Sequence, residues 1–256
     1  MKLVAVDMDG TFLNDNNGYD EVKFRRIYDM MQRNHIRFAV ASSNHPAYLK
    51  RFFDGYNDII YIAANGASLE YDGMYQYKTM THNEVGNVIH RLINENYEFV
   101  VSTVNNAFIH RTASDNYRTM IQPYYPDIKV FSESDEVSES VLKITVTGTA
   151  DEVSKLMELL PPALDCVYSG ALCIDITAYA DKAHMLQMVM EQLNVNSDEL
   201  AVFGDGDNDI EMFKLSGHSY AMANASHKVK SFATAIAPSN NENGVLYVLE
   251  QKIKQV

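Results

Sequence analysis

The chain is short of cysteine, short of cations and without any long apolar run, and each shortage closes off a class of protein. Its 21 lysines and arginines face 34 aspartates and glutamates, a formal net charge of -13. Nucleic acid and anionic membrane both call for a basic surface, so neither is an expected partner. Two cysteines, Cys166 and Cys173, fall in a pattern of short alternating strands and read as buried thiols in preference to a disulfide or a metal pair. No segment approaches membrane-spanning length, and the apolar run after the single Lys2 is too short for a signal peptide. The expectation is a soluble cytoplasmic protein. Repeats, low-complexity tracts and charge blocks are missing too. An acidic protein that handles anionic substrates needs a local positive device, such as a bound cation with one or two lysines. At 256 residues the length suits one large domain or two modest ones.

What is present begins with Leu3-Val4-Ala5-Val6-Asp7-Met8-Asp9-Gly10-Thr11. Leu3 to Val6 is β-branched and uninterrupted, as suits a parallel strand buried on both faces, and Asp7 sits at its end, where open α/β sheets bind ligands. Asp7 and Asp9 are two apart and would share a face if the strand continued, with Gly10 allowing a sharp turn. On this stretch alone an active site and a plain acidic turn stay equally open.

Asp20 to Arg33 carries Val22, Ile27, Met30 and Met31 at roughly helical spacing, ending near Asn34. Ile36 to Ala41 is a second buried-strand run, ending in Ser42-Ser43-Asn44 before Pro46. Strand, helix and strand make a βαβ unit that puts Ser42 beside Asp7 on one sheet edge. Its hydroxyl then reads either as a donor to a phosphoryl oxygen or as a cap for the segment after Pro46. Asp58 to Ala64 is a third run, tipped by Asn65-Gly66.

From about Thr79 the grammar changes. Val85, Val88, Ile89, Leu92 and Ile93 mark an amphipathic helix, and Glu98 to Val104 with Ala107 to Arg111 reads as a hairpin around Asn105-Asn106. Val141 to Thr147 alternates, Val153 to Leu160 is helical, and Cys166 to Tyr168 with Leu172 to Thr177 forms a second hairpin. This is α+β grammar with antiparallel pairs, so residues 80–179 are expected to form a second domain inserted into a first one made of 1–79 and 180–256. The first grammar resumes with a helix opened by Asp181-Lys182 and a strand from Leu200 to Phe203.

That strand ends in Gly204-Asp205-Gly206-Asp207-Asn208-Asp209. A dinucleotide fingerprint is excluded because no third glycine follows and aspartates would repel a pyrophosphate. A calcium loop is excluded because its sixth and twelfth positions are Ile210 and Ser216. Crowded carboxylates repel one another, and a divalent cation is the simplest relief.

Taken together, Asp7-Met8-Asp9-Gly10-Thr11, a strand ending in Ser42, Lys182 after an insertion, and Gly204-Asp205-x-x-Asn208-Asp209 resemble the haloacid dehalogenase superfamily. Ala221-Met222-Ala223-Asn224-Ala225, Val229-Lys230 and Asn243-Gly244-Val245 narrow the resemblance to the Cof-type sugar-phosphate phosphatases. The resemblance implies a Rossmann-like parallel-sheet α/β core with an inserted α+β cap, and a Mg2+-dependent phosphatase of small phosphorylated metabolites. It implies Asp7 as the nucleophile that becomes an aspartyl phosphate and Asp9 as the acid and base. Mg2+ would be held by Asp7, Asp205 and the Asp9 carbonyl, with Asp209 in support. Ser42, Ser43, Lys182 and Asn208 would grip the phosphoryl group or orient its loop. The chain departs from the family where serine or threonine is commonly followed by glycine and arginine: it has Ser42-Ser43-Asn44, and it has Ala223 where glycine is common. The phosphoryl chemistry is expected intact, while a substrate contact by that arginine is lost.

Cap candidates for substrate contact are Asn106, His110 and Arg111, then Tyr168, with plain exposed surface the preferred reading of His110 and Arg111. Two other functions fit the same residues: a hexose phosphate mutase using the same phosphoaspartate, and a non-catalytic metabolite-binding module, against which the intact Asp9 argues. The expected form is a monomer or weak homodimer acting on a small phosphate ester.

Overall fold

In the computed structural model the described residues are 1–170 and 172–254, so residues 255 and 256 of the expected second core segment lie outside them. The first apolar run becomes β1 (Leu3–Val6), buried at all four positions. Val4 and Val6 join one hydrophobic cluster and Leu3 and Ala5 another on the opposite face, which is why no polar residue interrupts the run. α1 (Glu21–Arg33) starts at Asp20, whose carboxylate accepts from the Lys23 amide at 2.9 Å. It buries Phe24, Ile27, Tyr28 and Met31; Val22 is exposed, because the larger Phe24 anchors the helix among Phe12, Phe38 and Phe53.

β2 (Arg37–Ala41), α2 (Pro46–Lys50) and β3 (Ile60–Ala63) follow as the apolar runs predict. The chain then reverses through a 3-10 turn at Ala64–Gly66 into a hairpin of β4 (Ser68–Tyr71) and β5 (Met74–Tyr77), joined by Asp72 and Gly73, both at positive φ. β5 is exposed along its length, so it carries no apolar signature. Next come α3 (His82–Asn94), β6 (Phe99–Thr103), β7 (Ala107–His110), α4 (Asp115–Ile121), β8 (Lys129–Phe131), β9 (Val141–Thr147), α5 (Val153–Leu159), β10 (Asp165–Gly170) and β11 (Cys173–Thr177). The last segment runs α6 (Lys182–Leu193), β12 (Leu200–Gly204), α7 (Ile210–Leu215), β13 (His218–Met222), α8 (His227–Lys230), β14 (Ala235–Ala237) and α9 (Gly244–Ile253).

Among the described residues two sheets form. One has eight strands in the order β14-β13-β12-β1-β2-β3-β4-β5, parallel from β14 to β3 and antiparallel in its last two strands. Residues of α1 and α9 pack on one face and residues of α6, α7 and α8 on the other, giving a three-layer α/β arrangement. β1 is central, between β12 and β2, so the loops after β1, β2 and β12 open at one C-terminal edge.

The other sheet has six strands in the order β10-β11-β9-β6-β7-β8 and is antiparallel except for β7 and β8. One face holds Val101, Ile144, Val146, Ile174 and Ile176 against Val85, Val88, Ile89 and Leu92 of α3 and Leu156 of α5. The opposite face of β9 and β11 is polar yet buried, because it closes over the eight-stranded sheet. Ala64 and Ala67 pack against Leu142, Tyr48 lies 5.2 Å from Tyr124 ring to ring, and the His45 ring donates to the Thr103 carbonyl at 2.9 Å. No helix among the described residues is long and apolar enough to cross a membrane.

Candidate active site

β1 ends at Val6 with the Asp7 amide still donating to the Phe203 carbonyl of β12 at 3.0 Å, so Asp7 is fixed by the sheet itself. Beyond it the chain coils tightly, Leu13 donating back to the Met8 carbonyl at 2.8 Å. The strand therefore does not carry Asp7 and Asp9 onto one face. Asp7 is buried and Asp9 opens into the cleft beneath the six-stranded sheet. Gly10 makes this possible: its φ is +76°, and a Cβ there would run into the Asp205 carboxylate.

The loop after β12 brings the second group of carboxylates. Asp209 is fully buried and accepts at Oδ2 from the amides of Asp205 and Gly206, each at 3.0 Å. It thus organises its own loop. Asp205 accepts from the Thr11 hydroxyl at 2.7 Å, tying the two loops together. Lys182 enters from the first position of α6, buried to 2 %, and its ammonium donates to Asp7 Oδ1 at 2.8 Å and Asp209 Oδ1 at 2.9 Å. An ammonium at a helix start opposes the helix dipole, and the two carboxylates offset that. The close approach depends on Gly66, at φ +86°, where a Cβ would overlap the backbone of Asp181 and Lys182.

Electrostatics follow from this crowding. Burial raises the Asp7 pKa well above the usual carboxylate value, with Lys182 pulling down and Asp209, Asp205 and Asp9 pushing further up. Burial and the neighbouring Asp209 carry Asp205 up to about 6. Burial also raises Asp9, against a 2.5 Å hydrogen bond donated by the Asn44 amide. For Lys182 burial acts downward, but Asp209 and Asp7 outweigh it and the ammonium stays charged. One cation does not balance this many carboxylates. Asp7, Asp205 and Asp209 each offer an oxygen within 4.8 Å of the others, a hard-oxygen set that fits Mg2+.

Of the remaining residues picked out from sequence, Ser42 is buried at the end of β2, its hydroxyl accepting from the Asn44 amide at 3.1 Å, with Ser43 half-buried next to it. The cap of α2 is His45, not Ser42: its ring Nδ1 accepts from the Ala47 amide at 3.2 Å. Asn208 donates to Asn65 Oδ1 at 3.1 Å. The four cap candidates go elsewhere. Asn106 donates to Glu139 at 2.5 Å, His110 is sandwiched by Phe99 and Phe131 and bonded to Ser132 and Thr112, Arg111 is exposed, and Tyr168 packs into the helix-covered face of its sheet. A hairpin position's face depends on register, which the pattern around Asn105-Asn106 leaves undetermined.

Several residues at the site were given no role from the sequence. Asn224 donates to the Gly10 carbonyl at 2.7 Å and accepts from the Asn240 amide, while Asn240 donates to the Leu13 carbonyl at 3.0 Å, so the tail braces the loop after β1. From the six-stranded sheet, Lys143 and Asp175 form a buried pair at 2.7 Å. Part of their signal was visible: each is a lone charge inside a strand of otherwise apolar and β-branched residues.

The sequence pattern of haloacid dehalogenase-like hydrolases matches residues 4–249. The chain is 31% identical to the 5-amino-6-(5-phospho-D-ribitylamino)uracil phosphatase YbjI of Escherichia coli (strain K12), over an alignment covering 99% of this chain and 97% of that protein. It is 27% identical to YwtE of Bacillus subtilis (strain 168), named for the same activity, with 98% of each covered. The crystal structure of SMU.1108c from Streptococcus mutans UA159 matches at a TM-score of 0.93 and 32% identity, covering 99% of both chains. With the carboxylates and Lys182 gathered at the C-terminal edge of a doubly wound sheet, and a match that runs nearly from end to end, the chain belongs to the haloacid dehalogenase-like hydrolases.

Proposed function

We propose that the protein is a Mg2+-dependent phosphatase that hydrolyses phosphate monoesters of small polyhydroxylated metabolites, sugar or polyol phosphates, through a phosphoryl group carried on Asp7. The observation that supports this most is the Lys182 ammonium bridging Asp7 and Asp209 in the floor of a roofed cleft. The two relatives named for a ribityl phosphate ester, alike over their whole lengths, support the substrate class.

In this reading an Asp7 carboxylate oxygen attacks phosphorus while the bond to the ester oxygen breaks, and Asp9 delivers its proton to that leaving oxygen. Burial raises the Asp9 pKa, which favours the acid form this step needs. Asp9 then takes a proton from water, whose oxygen attacks phosphorus and frees Asp7 and inorganic phosphate. Lys182, Ser42 and Ser43 donate to the phosphoryl oxygens as charge builds, and Asn208 steadies its loop through Asn65. Mg2+, when bound, would supply the neutralising charge, held by Asp7, Asp205 and the Asp9 carbonyl, with Asp209 in support. Residues 80–179 act as the cap domain over the core of 1–79 and 180–256, and the protein works as a cytoplasmic monomer or weak homodimer.

The test is phosphate release from a panel of sugar phosphates, 5-amino-6-(5-phospho-D-ribitylamino)uracil, nucleotides and phosphorylated cofactors. Release is expected with Mg2+, and none with chelator or with Asp7→Asn. A wild type silent across the panel would overturn the reading, and isomerised product without free phosphate would replace it with a mutase. Independently of turnover, Mg2+ is expected to raise the melting temperature of the wild type and not of Asp205→Asn.

A further inference from the structure

The polar face of the six-stranded sheet is the feature that the phosphoryl chemistry leaves unused. An antiparallel sheet can leave one side to water, but in this sheet Tyr117 and Ile121 of α4 cover Val100 and Ile109 on the side away from α3 and α5, and the rest of that side lies toward the core. Here Ser102 of β6, Lys143 and Thr145 of β9, and Asp175 and Thr177 of β11 are all buried, on the side facing the cleft. Register sets them side by side, Lys143 opposite Ser102 and Thr177, and Thr145 opposite Asp175. A lysine buried to 3 % costs much desolvation and is poor value as a mere prop for the fold.

Its surroundings suggest a use. Asp175 accepts from Lys143 Nζ at 2.7 Å, from the Thr145 hydroxyl at 2.6 Å and from Asn65 Nδ2 at 2.5 Å. Both carboxylate oxygens are engaged, so Asp175 aims its neighbours and offers little to a ligand. An ammonium has three N–H bonds, and Asp175 takes one of those of Lys143. The charge of Lys143 is close enough to act on Asp9 and His45, and its own pKa is raised: burial pushes it down, but Asp175 and Tyr125 outweigh that. Tyr48 and Tyr124 lie near Asp9 as well. Asn65, which also accepts from Asn208, links this group to the aspartate loop of the core.

We propose that Lys143, held in place by Asp175, is the residue that reads the leaving group, donating to hydroxyl oxygens of a sugar or polyol chain. This rests on the phosphatase reading above, because that reading seats the ester oxygen at Asp9 and so sends the first carbons of the leaving group toward the roof. The pairing with Asp175 makes the roof neutral overall, which suits uncharged hydroxyls and not a second phosphate.

The experiment compares ribose 5-phosphate and glycerol 3-phosphate with propyl phosphate, an alkyl ester with no hydroxyl on its leaving group. In Lys143→Gln, whose amide still reaches toward Asp175, kcat/KM for the two polyol esters is expected to fall about tenfold to a hundredfold, with propyl phosphate changed less than about threefold. The double variant Lys143→Met/Asp175→Asn removes both charges while leaving a side-chain oxygen to accept from Asn65, and the same selective loss is expected. Equal losses on all three esters, or none on any, would overturn the assignment. The second arm measures binding of the same esters to Asp7→Asn with and without Lys143→Gln. If the wild type turns nothing over, the phosphatase reading fails, and the binding arm still decides Lys143: it stands if only the polyol esters bind more weakly, and falls otherwise.

Discussion

The ammonium of Lys182 joins carboxylates from two loops that lie 202 residues apart in the chain, adding an ionic bridge to the β1–β12 pairing and the Thr11–Asp205 bond that also hold them. Removing one partner of a buried ion pair leaves the other charges uncompensated, at a cost of about 3–5 kcal/mol. Lys182→Met is therefore expected to lower the melting temperature of the metal-free protein by roughly 10 °C in a chain of this size. Phosphate release should fall at least about a hundredfold, since the phosphoryl group loses its fixed cation. A variant that melts like the wild type would show that the bridge is not what holds the loops. At this scale the sequence was informative where chemistry is concentrated. Asp7, Asp205 and Asp209 are carboxylates at or just after strand ends, and polar tips in such places are easy to see, whereas Lys182 stands out only through the family resemblance. Asn44, Asn65 and Asn224 stand out as loop or motif residues but their roles do not, because an amide becomes specific only through the partner that a distant loop brings to it.

Among the elements, α2 shows how a short helix is joined to both units. His45 caps it through Nδ1, and Nε2 donates to Thr103 of the six-stranded sheet, so the ring must be neutral with its proton on Nε2. Burial lowers the His45 pKa, Lys143 and Lys50 act in the same direction, and the Thr103 hydrogen bond and Glu139 act against it. Since the folded value lies below the unfolded one, its stabilisation is complete above about pH 6.5 and is lost as pH falls below that, when the unfolded chain takes up a proton first. Melting temperatures measured between pH 7.5 and 5 should thus fall less steeply in His45→Asn, whose side chain can still cap the helix. Identical slopes would mean that another group dominates the acid response. Element legibility followed burial: β1, β3 and β12 are continuous apolar runs, β2 is one after Arg37, and all announce themselves. β5 is exposed and β14 nearly so, and both are ordered by pairing with neighbours that the local pattern does not reveal.

The whole molecule closes through a handful of contacts across the cleft, of which Asn65 to Asp175 is the most buried. Asn65→Ala removes one of the donors to that carboxylate and the link to Asn208. The expected result is a more open average shape, read as a larger radius of gyration in scattering from the metal-free protein, with little change in helix content. An unchanged radius would indicate that the Tyr48–Tyr124 and Ala64–Leu142 packing suffices. The sequence alone determined the class of fold, because periodicity and the residue types at strand ends are local properties. Tertiary structure decided which residues face the cleft. Lys143 and Asp175 meet only when β9 and β11 pair in register and their sheet is laid over the core, while His110 and Tyr168 turn away by the same alternation. A strand's two faces are chemically equivalent until something packs on one of them, and that choice depends on contacts far apart in the chain.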